Sequence, residues 1–524
     1  MFGLFKKLLN QIERLINYLE NTNCPFSYTI LTFIFFLTVK GFLELFVYYH
    51  LLGSCILLPT YKNDYLWFPT LALSLILIAC VATRDSVMKV AKVILPSFCL
   101  IVIAPLVDLF LASIGKVTVP TYFFPGMYKN LLFLFLTFGG PLTKFGMTIG
   151  LRIELILALF GAFFYFYIKN RNALRSIFFA FLFYVIVFFL MATPLVVEHI
   201  IALLKVSFKI ERDPFRTYYL LLLITIMIVP LLYLADKKVF KLILMNLRLS
   251  RLMHYESMFF LGVVLSLSAP LTSPEMSGNM FIFTENTLAC LIFSPIVIIF
   301  CFVYAVIIND IEDLGIDLVS NKDRPLSRGN ISLVAYRKLA WFFFFAAVVY
   351  SLIVNPMLCF FALLMIGIYF LYSAPPLRFK RIPVFSKLAI SLNSVNLVVL
   401  GLMVFKRMIN PNPEVVILFI LFTMAANFID LKDYEGDKAG GIKTIPTLLG
   451  LKKAKLYIGV FFLLNYLMIM KFVKEWYFVL IFAFIGLLQF YLINRNKYEE
   501  KYVMYLYIMT VLLFFICLIP LPVH

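Results

Sequence analysis

Between Asn309 and Gly329 the chain reads NDIEDLGIDLVSNKDRPLSRG, with Asp310, Glu312, Asp313 and Asp317 crowded just ahead of Lys322, Arg324 and Arg328. A second acidic run, DLKDYEGDKAGGIKT, begins at Asp430. On a helix Asn309, Asp313 and Asp317 recur every four residues and share one face, with Asp310 flanking it. Asp433 and Asp437 are likewise four apart, and Asp430 lies three before Asp433, as a polar helix end or a supporting residue. Two facing rows of carboxylates repel each other unless a cation lies between them. The candidate ligands Asn309, Asp310, Asp313, Asp317, Asp430, Asp433 and Asp437 all offer hard oxygens, which points to Mg²⁺ rather than zinc or copper. Magnesium favours a phosphate co-ligand, and Lys322, Arg324, Arg328 and Lys443 are suited to anionic oxygens. Carboxylates for metal and cations for phosphate, set on apolar helices, describe a site for a diphosphate whose tail lies in a membrane.

The elements that carry these residues are transmembrane helices. Of the 524 residues 63% are hydrophobic and 14% charged, and the mean hydropathy is +0.99. Apolar runs of roughly 20 residues recur along the chain, each long enough to cross a bilayer as a helix. They are continuous rather than alternating, which excludes a β-barrel. The formal net charge of +19 is carried in short loops, the positive-inside pattern, and needs no nucleic-acid partner. Eight cysteines and four histidines are dispersed, so neither a zinc site nor a disulfide framework is read. There is no Walker loop, dinucleotide fingerprint or serine-nucleophile elbow.

The expected organisation is all-α and polytopic, in three parts. Residues 1–22 form an amphipathic interfacial helix with Phe5, Leu8, Ile12, Leu15, Ile16 and Leu19 on one face. Residues 23–250 form a module of about six spans, near 28–50, 66–83, 90–113, 150–168, 175–200 and 217–234. The stretch 130–143 is too short to cross and is read as re-entrant or interfacial. Residues 251–524 hold nine spans, near 254–272, 289–308, 334–354, 357–373, 385–405, 414–430, 455–471, 476–493 and 503–522. This parity puts both acidic runs on the cytoplasmic side. In the first module Asp108, Arg152, Glu154, Glu198 and His199 are functional candidates because charges inside a membrane are costly; a partner enzyme, a lipid-handling module and a scaffold all stay open. His254 and Glu256 read as an interfacial pair.

Four segments in register carry a resemblance. NDIEDLGID, KDRPLSRG, YSAPPLRFKR (372–381) and DYEGD (433–437) resemble the signatures of the UbiA superfamily of intramembrane prenyltransferases, over roughly residues 250–524. The resemblance implies a nine-helix fold and Mg²⁺-dependent transfer of an isoprenyl chain from its diphosphate to a lipophilic or aromatic acceptor, a quinone precursor or a glycerol-phosphate lipid, with release of diphosphate. By position, Asn309, Asp313, Asp317, Asp433 and Asp437 match the metal and diphosphate residues, with Asp313, Asp317, Asp433 and Asp437 catalytic. Lys322, Arg324, Arg328, Arg378, Lys380 and Lys443 are the expected diphosphate contacts. Tyr304 and Tyr372 are candidates to face a carbocation. The expected setting is a bacterial or archaeal cytoplasmic membrane, with lipids as partners. The rival reading, a cation-coupled transporter, would place its carboxylates near the bilayer midplane on broken helices rather than at helix ends beside cationic loops.

Overall fold

The computed structural model describes residues 2–52, 58–115, 131–139, 147–203, 212–268, 284–320, 322–405, 413–439, 441–473 and 475–518. Every regular element among them is helical, and the chain divides into two compact units, Met1–Phe240 and Lys241–His524.

Unit 1 runs through α1 (Phe2–Asn21), α2 (Phe26–Leu52), α3 (Leu58–Thr83), α4 (Val87–Ser97), α5 (Ile103–Ser113), α6 (Leu131–Leu136), α7 (Ile149–Asn170), α8 (Ala173–Leu203) and α9 (Arg212–Ala235), with α10 (Lys237–Asn246) following. Six of its segments are long and apolar enough to cross a membrane, and each overlaps one of the expected spans. The stretch expected to be re-entrant contains the six-residue α6, far too short to cross; residues 140–146 lie outside the described residues. The amphipathic α1 packs its apolar face against α4 and α7, with Ile16 buried, so that face is turned to protein as well as to any interface.

Unit 2 contains α11 (Leu249–Ser268), α12 (Glu285–Glu312), α13 (Leu314–Ser320), α14 (Leu333–Val354), α15 (Pro356–Ser373), α16 (Pro383–Val404), α17 (Pro413–Ala425), α18 (Asp430–Ala439), α19 (Ile445–Leu449), α20 (Leu451–Met470), α21 (Trp476–Asn494) and α22 (Glu500–Leu518). The sequence sets the helix starts locally. Thr284, Ser332 and Asn355 cap α12, α14 and α15 by accepting from backbone N–H groups of the first turn, and Pro356 occupies a first-turn position where no N–H is needed. Among the described residues seven of these helices meet the length and hydropathy of a membrane span; α11 and the 13-residue α17 overlap the two remaining expected spans, 254–272 and 414–430, without meeting them.

Contacts between helix ends show that these nine alternate in direction. Arg248, preceding α11, reaches Asp310 near the end of α12, where Tyr336 from the start of α14 also arrives. Ser373 at the end of α15 bonds Asn309. Lys387 at the start of α16 meets Asp430 beyond the end of α17. Lys455 at the start of α20 donates to the Arg495 carbonyl at the end of α21, and Arg251 of α11 pairs with Glu500 at the start of α22. One end of unit 2 therefore collects both acidic runs.

The crossing of α11 and α16 depends on two glycines. A Cβ at Gly262 would lie 2.0 Å from the Val398 carbonyl oxygen, and one at Gly401 2.1 Å from that of Phe259. Neither backbone oxygen can give way without moving a helix, and α11 carries Arg251, His254 and Tyr255 to the site described below. At Gly367 of α15 an added Cβ meets nothing within 4 Å. Gly262→Ala and Gly401→Ala should each destabilise unit 2 by about 1–3 kcal/mol through overpacking. Gly367→Ala should instead gain about 0.5–1 kcal/mol of helix propensity. Thermal unfolding of the three variants in one detergent checks the opposite signs.

Candidate active site

The first acidic row departs from one continuous helix. α12 ends at Glu312, Asp313 takes non-helical backbone angles (φ −99°, ψ 7°), and α13 begins at Leu314. The four-residue hydrogen bonds nevertheless persist through the break: Asp313 N–H donates to the Asn309 carbonyl (2.9 Å), and Asp317 N–H to that of Asp313 (2.8 Å). Asn309, Asp313 and Asp317 thus keep their common face, and all three line one cavity of about 200 Å³. The second row comes from α18, which follows α17 through a 3₁₀ turn, Ala426–Ile429. Asp430, Asp433 and Asp437 line the same cavity, and α13 packs against α18. The two rows are brought face to face.

Each row is compensated by cations of the chain itself. Asp313 Oδ1 accepts from Lys380 Nζ at 2.5 Å and Arg378 Nη2 at 3.0 Å; Asn309 Oδ1 also accepts from Lys380, at 3.2 Å. Arg324 bonds Asp317 and lies 3.2 Å from Asp310. Asp430 pairs with Lys387 at 2.5 Å. Arg378 takes the left-handed backbone region (φ 45°), as does Arg248 (φ 39°), a conformation costly for residues with a Cβ and often found at functional sites. Both side chains are directed at the first row.

Asp310 is placed differently from its motif neighbours. It is 1% exposed, does not line the cavity, and is held by Arg248 at 2.5 Å, by Arg324 and by the Tyr336 hydroxyl at 3.2 Å. Asn246 lies 2.9 Å from the same hydroxyl, its Nδ2 otherwise unpartnered. Turning that amide over lets it donate to Tyr336 and leaves the tyrosine proton for Asp310. Asp310 therefore anchors the ends of α12 and α14 rather than facing the cavity. Of the cations expected to meet diphosphate, Arg324 and Lys380 line the cavity and Arg378 stands behind Asp313. Lys322, Arg328 and Lys443 do not line it: all three are exposed, and Arg328 is paired with Asp323. Sequence neighbourhood had put them with the acids, but the turns after α13 and α18 carry them to the surface.

Sequence reasoning passed over Arg248, Arg251 and Lys387. Each reads alone as a basic residue at a span end, and only the fold brings them to the acids. His254 and Glu256 do not form a pair. The imidazole lies between Tyr507 Oη (3.0 Å) and Ser394 Oγ (2.9 Å) on the cavity wall, while both carboxyl oxygens of Glu256 are buried without a hydrogen-bond partner. Beneath the charged rim the wall is apolar and aromatic, with Phe302, Phe422, Phe428, Phe462 and Tyr372. Tyr304 packs on Phe344 instead, at 5.7 Å between ring centroids, and does not line the cavity.

Among the described residues no three Asp, Glu, His or Cys side chains converge on one point. Magnesium does not require that, since it is commonly held by one or two carboxylates with water and phosphate oxygens completing its shell. Hard oxygens on two facing walls fit such an ion. The electrostatics favour it too. Burial pushes the Asp437 carboxyl up to about 7, with Asp430 and Asp433 adding to the shift. Burial raises Asp317 to about 6, against the pull of Arg324, and raises Asp433 as well. Lys380 is lowered by burial, with Asp313 opposing.

These shifts set a pH dependence. Below about pH 6 Asp317 and Asp437 are mostly protonated, and above about pH 7 mostly ionised. A metal that needs the carboxylates must displace their protons. Calorimetric titration with Mg²⁺ in buffers of different ionisation enthalpy should show proton release near pH 6.5 and tighter binding at pH 8 than at pH 6. Binding indifferent to pH across this range would contradict the assignment.

Residues 276–519 match the profile of the UbiA prenyltransferase family. Among curated relatives, the digeranylgeranylglyceryl phosphate synthase of Methanoculleus marisnigri is 27% identical over 154 residues, 29% of this chain and 54% of that one. The 2-acylphloroglucinol 4-prenyltransferase of Humulus lupulus is 31% identical over 184 residues, 32% of this chain and 42% of that one. The chain spans about half the length of the curated relatives it matches. Among solved structures, a UbiA homologue from Archaeoglobus fulgidus bound to DMAPP and Mg²⁺ is similar at 18% identity and a TM-score of 0.40, covering 53% of this chain and 97% of that one. Both acidic rows lie within the segment, residues 276–519, that matches the UbiA prenyltransferase family.

Proposed function

We propose that unit 2 is a Mg²⁺-dependent intramembrane prenyltransferase, moving an isoprenyl chain from its diphosphate to a lipophilic acceptor and releasing diphosphate. The observation that carries this reading is the single cavity lined at its rim by two acidic rows with Arg324 and Lys380, and deeper by phenylalanine and tyrosine rings. Asp313 and Asp317 on one wall, with Asp433 and Asp437 on the other, are the groups to hold magnesium. When bound, the ion supplies positive charge to the departing diphosphate and weakens its bond to the allylic carbon.

The chain's own residues do the rest. Lys380 and Arg324 donate hydrogen bonds to carboxylates that the metal would claim, and so become donors for diphosphate oxygens at the same rim. Arg248 keeps Asp310 neutralised and fixes the end of α12 under the reacting groups. The rings of Phe302, Phe422 and Tyr372 exclude water from an allylic cation and offer it their π faces, each worth roughly 0.5–2 kcal/mol. The positive-inside loops support a rim at the cytoplasmic face. The names of the relatives support two acceptor classes, a glyceryl phosphate lipid precursor and an acylphloroglucinol ring.

The test is diphosphate release from geranylgeranyl diphosphate by the full chain in nanodiscs, with each acceptor class supplied in turn. Chelation with EDTA should abolish turnover and Mg²⁺ restore it. Asp313→Asn and Asp437→Asn should each lose at least about a hundredfold, since an amide keeps the shape without the charge that holds Mg²⁺. Glu312, outside the cavity lining, should tolerate Glu312→Gln within a few fold. Full activity after rigorous chelation, or equal damage from Glu312→Gln and Asp313→Asn, would falsify the two-row assignment.

A further inference from the structure

The cavity of unit 2 ends in rings. On each of five helices the lining residue furthest from the charged rim is aromatic: Tyr255 on α11, Phe302 on α12, Tyr369 on α15, Phe422 on α17 and Tyr507 on α22. These rings touch one another at the spacing of aromatic pairs. Tyr255 meets Phe302 at 5.7 Å and Tyr369 at 5.8 Å between centroids. His254, 4.8 Å from Tyr255, stacks on Phe422 at 5.8 Å and 14°. Tyr507 completes the series, 5.5 Å from His254 and 6.1 Å from Phe422. The imidazole is pinned by its hydrogen bonds to Tyr507 (3.0 Å) and Ser394 (2.9 Å), so the layer cannot swing aside there without breaking them.

The depth of this layer sets a length. Tyr255 lies four residues after Arg251 on α11, and Phe302 seven before Asn309 on α12, so at 1.5 Å of rise per residue the floor slopes from about 6 to about 10 Å below the rim. An extended chain advances about 1.2 Å per bond, so one isoprene unit reaches roughly 5 Å, two roughly 10 Å and four roughly 20 Å. The volume points the same way: about 200 Å³ is below the roughly 300–1,000 Å³ usual for small-molecule sites. We infer that this aromatic floor makes unit 2 selective for allylic diphosphates of one or two isoprene units, with Phe302 and Phe422 stopping a third. The inference rests on the prenyltransferase reading of unit 2 and adds donor length to it. A geranylgeranyl donor brings the same head group to the rim, but its tail must turn aside above the floor, so it is held less tightly.

The probes are dimethylallyl, geranyl, farnesyl and geranylgeranyl S-thiolodiphosphates, whose carbon–sulfur bond is slow to ionise. They are bound with Mg²⁺ to the full chain in nanodiscs, in competition with tritiated geranyl S-thiolodiphosphate and with uptake by empty nanodiscs subtracted. Geranyl should bind at least about tenfold more tightly than farnesyl or geranylgeranyl, the size of one misfitting group in an apolar pocket. Phe302→Ala and Phe422→Ala open the floor and should each raise farnesyl relative to geranyl about tenfold. Partition into lipid is the same for every variant and cannot produce that change. Phe422→Leu takes the place of an alanine variant that does not elute as a folded particle. Equal affinity for the geranyl and geranylgeranyl probes on the unaltered chain, or an unchanged ranking in the folded variants, would overturn the inference and leave the prenyltransferase reading in place. Absence of Mg²⁺-dependent binding at every length would instead fail that reading, and the length limit with it.

Discussion

A carboxylate held away from water among apolar helices must be met by a cation, and the geometry of unit 2 follows from that requirement. Breaking a buried pair by removing one partner costs about 3–5 kcal/mol, because the other charge is left uncompensated. Asp310 is the case in point. Its two oxygens meet Arg248, Arg324 and Tyr336, drawn from the segment before α11, the loop after α13 and the start of α14. One buried acid thereby fixes where three separate pieces of chain end. Asp313 does the same for the 3₁₀ segment after α15 through Lys380 and Arg378, and Asp430 for α16 through Lys387. The charged rim holds the helix ends in register while presenting the groups that would meet a metal diphosphate.

Much of this was legible in the sequence, because the signals are local. Four-residue spacing placed Asn309, Asp313 and Asp317 on one face, and they remain there even though α12 stops at Glu312, because the backbone bonds bridge the break. Span lengths and loop charges yielded the alternation that brings both rows to one end. Partner choice was not legible. Arg248 lies 62 residues from Asp310, Arg251 249 from Glu500 and Lys387 43 from Asp430, and in a membrane chain a lone cation at a span end already has an explanation. Lys322, Arg328 and Lys443 show the converse error. Adjacency in sequence made them candidates, and the exposed turns that carry them point elsewhere.

Unit 1 shows how far the same reasoning goes without a recognisable motif. An ionisable residue inside a span is a functional candidate on energetic grounds, and that rule singled out Asp108, Arg152 and Glu154. Two of these have structural employment: Asp108 accepts from the Gly150 N–H at 3.0 Å, and Arg152 donates to the Met147 carbonyl at 3.2 Å. Glu154 alone of the three lines a cavity of unit 1. The side chains of Glu198 and His199 lie outside the described residues. Lys40 and Glu44, four apart on α2, were passed over in the sequence, and Asp64 joins them from α3 through a contact that sequence spacing does not encode.

The two units deal with buried charge in different ways. In unit 2 much of the acidic rim is already met by a lysine or arginine, so on the proposed reading a ligand would enter by exchange, the carboxylates turning to a metal and the released cations to the anion. Such a site would hold a cation and an anion together more tightly than either alone, since either alone leaves part of the charge unmatched in a medium where mismatch is expensive. That preference would match the composition of the metal diphosphate proposed for this site. In unit 1 the buried lysine is met within the unit itself, Lys40 by Glu44 at 2.6 Å and by Asp64 at 2.8 Å, a pairing made entirely by the chain's own residues.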